Sequence, residues 1–91
     1  MSSHLNGKLS NGIDASDNAY VDRLKKMWSD LPETMFGNTY IPDIGPHVIV
    51  LYYKHSSGEY GWAIILSYVS ALSRPIYCNL ENNVWNKSIY I

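Results

Sequence analysis

The chain is poor in charge, in cysteine and in long apolar runs, and each shortage removes a class of function. Charged residues make up 16% of 91 residues and sum to a net charge of −1. An ordinary globular domain carries about 25%. A phosphate backbone or an anionic membrane calls for a basic surface that this composition lacks, so neither is an expected partner. One cysteine, Cys78, cannot form an internal disulfide, which excludes a disulfide-stapled secreted scaffold. The longest apolar run, Val48 to Tyr53, ends at Lys54, and the run to Leu66 ends at Ser67; both are far too short to cross a bilayer as a helix. The stretch Met1 to Asn11 is polar and has no signal-peptide core, so the expected setting is cytoplasmic.

Metal and cofactor motifs are also missing. His47 and His55 fall at the two ends of one strand-like run, roughly 26 Å apart at ~3.3 Å per residue, and neither has a second ligand at short spacing. His4 lies in a polar arm. No metal, no cofactor and no catalytic residue is assigned. Cys78 alternates with Ile76 and Leu80 and reads as core packing, not as a nucleophile. Leu31-Pro32-Glu33-Thr34 resembles the start of a sortase sorting signal, but Met35 stands where glycine is needed. Asn86-Lys87-Ser88 matches a glycosylation sequon that a cytoplasmic chain does not use.

What is present is one helix pattern and much β pattern. Residues 1–15 read as a mobile polar arm with apolar pegs at Leu5, Leu9 and Ile13, and residues 16–91 as a single α+β domain. Tyr20, Val21, Leu24, Met27, Trp28 and Leu31 follow helical spacing, with Asp22, Arg23, Lys25, Lys26 and Asp30 opposite. Ser16 or Asp17 is the expected N-cap, and Pro32 stops the helix. Residues Pro32 to Pro46 read as a long loop, folded back by Met35, Phe36, Tyr40 and Ile41.

From His47 the pattern is β. His47–Lys54 forms a strand, Ser56-Ser57-Gly58 a turn, and Tyr60 to about Ser70 the return strand. Trp62, Ile65, Leu66, Val69 and Leu72 also fit a helical stripe, a rival reading outweighed by the β-branched content. A second hairpin, Ile76–Leu80 and Val84–Ile91, turns at Glu81-Asn82-Asn83. The expected architecture is one amphipathic helix on a mainly antiparallel four-stranded sheet.

The surplus is aromatic: eight Tyr and three Trp against one Phe. One helix covers one face of a sheet, so the other face would carry Tyr and Ser in the open. Tyr and Trp give large contact area at low entropy cost and dominate interface hot spots. Tyr52, Tyr53, Tyr60, Trp62, Tyr68, Tyr77 and Tyr90 are therefore the candidate partner-binding residues. The bland account is that the 32–46 loop covers that face.

The reading that follows is a non-enzymatic protein-binding domain. It would be a steric inhibitor or immunity-type protein of the kind carried by phages, plasmids or toxin loci. It would act through the aromatic face or through an apolar terminal edge strand. One alternative is a small nuclease-type toxin using His55 and Glu59, with Arg74 as phosphate clamp. Another is a homo-oligomeric assembly subunit or homodimer joined through the C-terminal strand, Ile89-Tyr90-Ile91.

Overall fold

A computed structural model describes residues 8–41, 45–72 and 74–91. It is an α+β fold: a helix, α1 (Ala15–Met27), a 3₁₀ turn (Trp28–Asp30), and six strands. The strands are β1 (Thr34–Ile41), β2 (Gly45–Lys54), β3 (Gly61–Ser67), β4 (Ile76–Glu81), β5 (Val84–Trp85) and β6 (Ile89–Tyr90). They form one antiparallel sheet in the order β1-β2-β3-β4-β5, and β6 pairs β4 beside β5.

The helix forms over the first part of its apolar spacing, Ala15–Met27; the rest of the stripe closes as the 3₁₀ turn, and Leu31 is extended because a residue before proline is held out of helical geometry. Tyr20, Val21, Leu24 and Trp28 are buried, while Lys25 and Lys26 stay in water in the last turn, where they suit the helix dipole. The N-cap is Asp14, not Ser16 or Asp17, and its side chain makes no capping bond. Asp17 is drawn elsewhere: it is buried one turn in, and its carboxylate accepts a 2.6 Å hydrogen bond from Tyr90 Oη. The segment before the helix folds as well. Lys8 pairs Asp14 across a turn at Gly12 (φ +83°), and Ile13 is wholly buried. Residues 1–7 of the expected arm lie outside the described residues.

The sheet has six strands instead of the expected four. The main correction is β1, which lies where a loop was expected. Gly37, within that span, is extended, and its missing side chain makes room for a ring. A Cβ there would lie 2.4 Å from Cζ of Tyr52, its cross-strand partner. The glycine permits close approach, and Thr34, Phe36, Thr39, Tyr40 and Ile41 supply the β character around it.

The strand reading of the segment from Trp62 holds over Gly61–Ser67, and the chain turns after it. Gly61, Ala63 and Ile65 are buried, and Trp62, Ile64 and Leu66 alternate with them half-exposed, a period of two that no helix gives. The expected single strand Val84–Ile91 is split into β5 and β6. Asn82 and Asn83 turn with positive φ (50° and 65°), and Ser88, between the two short strands, is buried with Oγ 3.6 Å from Cys78 Sγ.

The core lies between α1 and one face of the sheet. It holds Val48, Val50, Tyr52, Ala63, Ile65, Ile76, Cys78 and Leu80 from the strands. Trp28 sits at its edge, with its ring edge-on to Tyr52 (5.8 Å) and to Trp85 (5.1 Å), and its indole N–H donates to Gly58 O at 3.3 Å.

Candidate interaction face

Strand alternation decides what the second face presents. On β2 the residues between the core positions are His47, Ile49, Leu51 and Tyr53. Their partners across β3 are Leu66, Ile64 and Trp62, and Tyr77 and Asn79 continue the rows on β4. On the other side Tyr40 pairs Ile49 and Asn38 pairs Leu51, while Ile89 closes the row at Tyr77. Phe36 stands at the register shift between Thr34 and Gly37, opposite the Tyr53 row.

These side chains are in the open. Phe36 is 63% exposed, Tyr40 54%, Ile89 50% and Ile49 38%, while Leu51, Tyr53, Trp62, Ile64, Leu66 and Tyr77 are half-buried. A sheet with one face in water normally places polar residues there. Within the strands this face carries one carboxylate, Glu81, and one histidine, His47. A groove of about 450 Å³ runs across one end, lined by Tyr53, Tyr60, Trp62, Tyr77, Asn79 and Glu81. Beside it the Asn86 amide donates to Asn79 Oδ1 (2.5 Å) and to Glu81 Oε1 (2.6 Å), which fixes a polar corner.

Of the seven aromatics singled out from the sequence, the fold brings Tyr53, Trp62 and Tyr77 together on this face and sets Tyr60 at its end. Tyr68 lies past β3, with its hydroxyl hydrogen-bonded to His47 Nδ1 and its ring edge-on to the imidazole. Tyr52 is not on this face: it is buried under α1 and its hydroxyl donates to Pro32 O at 3.0 Å. Tyr90 also turns to the helix side, where its hydroxyl accepts from Asp14 N–H (3.0 Å) and donates to Asp17. Sequence reading missed Phe36 and Tyr40, because their segment passed for loop. It missed Ile49, Leu51, Ile64, Leu66 and Ile89 because it weighed only aromatics. The signal was there, since both alternating sets of β2 and β3 are apolar.

The long free edge is β1, with Met35 80% exposed. Register shifts at both ends of its pairing with β2 interrupt that edge. The expected terminal edge is shorter than the sequence suggested, because β6 has only two residues and is already paired to β4.

Of the nuclease alternative, His55 and Glu59 share the hairpin tip, where Ser57 Oγ also accepts the Glu59 N–H at 3.1 Å, but Arg74 does not join them. Both the Ser57 backbone N–H (3.1 Å) and its hydroxyl oxygen (3.0 Å) meet His55 Nδ1 within the hairpin tip. Arg74 lies at the other end of β3, roughly 20 Å away by strand rise, and donates to Ile91 O at 2.5 Å. Lys54 points into the fold instead. Burial pushes the Cys78 thiol above its ordinary value, with the Ser88 hydrogen bond and the charge of Lys25 opposing weakly. Among the described residues no group of three or more His, Cys, Asp or Glu could hold a metal ion, and no helix is long and apolar enough to cross a membrane.

The fold and this face together define an α+β domain with its helix on one side of the sheet and an almost uncharged aromatic and aliphatic surface on the other. Comparison with protein families, with characterised proteins and with solved structures finds no match for this chain.

Proposed function

We propose that this chain is a small non-enzymatic protein-binding domain, a steric inhibitor or immunity-type protein, and that it works through the open face of its sheet. One observation carries the reading. The positions that alternate with the core along β2 and β3 are Ile49, Leu51, Tyr53, Trp62, Ile64 and Leu66, where a sheet meant for water would hold polar residues. A contiguous apolar patch of this kind marks an interaction site. Tyr53, Trp62 and Tyr77 are the anchors, and the Asn79–Glu81–Asn86 corner is a polar rim.

The test is paired affinity capture from cells that express the protein, with wild type beside Ile64→Lys. Ile64 is half-exposed at the centre of the face, so the charge is solvated in the free protein. A stoichiometric protein retained by wild type and lost by a folded Ile64→Lys supports the reading. Equal capture by both, or none by either, refutes it.

A further inference from the structure

We infer that the occupant of the open face is a second copy of this chain, with two sheets packed face to face about a two-fold axis. This inference rests only on the reading of that face as a protein-binding surface, and makes a second copy, in place of a different protein, its occupant.

Three features favour a second copy. The first is size. Five strands at ~4.8 Å spacing and seven residues at ~3.3 Å rise give a face of roughly 24 by 23 Å. With side-chain relief, that reaches the low end, ~600 Å² per partner, of a standard stable interface.

The second is charge. A face set against itself meets every charge it carries, so like charges in its middle would repel. Here the middle is Leu51, Ile64, Trp62 and Tyr77, with no charge of either sign. The two ionisable groups stand at diagonally opposite corners. His47 enters β2 beside the Ser67 end of β3, and Glu81 leaves β4 beside the Gly61 end. A two-fold axis lying in the interface across that diagonal brings His47 of each copy over Glu81 of the other. Such an axis sets the strands of the two sheets oblique to one another, the arrangement of aligned sheet packing at ~30°.

The third is relief. Side chains that alternate Ile, Leu, Tyr and Trp across paired strands can interdigitate with their own two-fold image, as the inner faces of a β-sandwich do.

Sedimentation of the full chain from about 1 μM to about 1 mM tests this. The expected result is a reversible dimer whose dissociation constant rises at least tenfold with Ile64→Lys and with Tyr40→Lys, both keeping the wild-type circular dichroism. Tyr40 lies at the rim, 54% exposed, so it carries the test if Ile64→Lys fails to fold. A wild type that stays monomeric throughout overturns the inference. If that monomer still captures a partner lost by Ile64→Lys, the wider reading survives; if it captures nothing, both fall. A dimer indifferent to both substitutions overturns the inference and directs attention to the β1 edge. A monomer that dimerises only after residues 1–7 are deleted also overturns it, because the chain would then cover its own face.

Discussion

Lys54 shows how one residue can be misread from its neighbours. In sequence it ends the strand His47–Lys54 beside a polar hairpin turn, where a lysine in water is the natural reading. In the fold it is 7% exposed, and its ammonium donates to Trp28 O and Leu31 O, both at 2.7 Å, and to Ser29 O at 3.4 Å. Trp28 O also accepts the Leu31 N–H at 3.1 Å, while the Ser29 and Leu31 carbonyls lie where the 3₁₀ turn ends and its N–H donors run out. Lys54→Met keeps the stem and removes the donor. The loss of stability should be about 2–3 kcal/mol, read from the urea midpoint, since hydrogen bonds from a charged donor are worth about 1.5–3 kcal/mol. A change within error would mean that water replaces the ammonium.

Cys78 and Tyr52 give a second prediction at this scale. Burial raises the thiol above 9.0 and the phenol above 10.0. A group whose folded value lies above its unfolded value stabilises the fold fully below the unfolded value. That contribution is lost as pH rises through the folded value. The two groups therefore leave stability unchanged up to about pH 8 and lower it on the alkaline side, above about pH 9. Native-state alkylation of Cys78 should follow global unfolding: its rate should rise with denaturant along the unfolding curve. Rapid labelling in buffer would show that the thiol opens locally.

At the scale of elements, the helix is tied to the sheet at both ends. At its C-terminal end Trp28 packs between Tyr52 and Trp85. At its N-terminal end Tyr90, on the two-residue β6, reaches Asp14 N–H and the Asp17 carboxylate. A strand this short has little pairing of its own, so the phenol is its main link to the helix. Tyr90→Phe keeps the ring and removes both bonds. It should cost about 1–3 kcal/mol and speed amide exchange in the first turn of α1 more than in its last turn. Equal acceleration along the helix would show that the bond serves the whole domain. The burial of Asp17 follows from the same contact, because a buried carboxylate requires a hydrogen-bonding partner.

At the scale of the whole molecule, self-association through the open face has a thermodynamic signature of its own. Binding that requires the folded chain stabilises it by mass action, and tenfold in association is worth about 1.4 kcal/mol. The thermal midpoint of the wild type should therefore rise by a few degrees for each tenfold increase in concentration, ~4–8 °C per kcal/mol being typical of domains this size. Ile64→Lys should melt at one temperature whatever its concentration. A concentration-independent wild type would agree with a monomer and count against the dimer.

The sequence by itself determined what depends on local chemistry. Helical spacing from Tyr20 to Trp28, the proline stop at Pro32, the Ser56–Gly58 and Asn82–Asn83 turns, and the β-branched runs of β2 and β3 all act over a few residues. Tertiary structure decided what depends on residues distant in the chain. Gly37 is a strand residue because Tyr52 lies across from it, and no local signal separates that use of glycine from a turn. Lys54 is a cap because the 3₁₀ turn ends above it. Tyr52 and Tyr53 are neighbours in sequence but face opposite sides of the sheet, one in the core and one on the open face. Strand alternation separates any two neighbours, but only the position of α1 decides which one is covered.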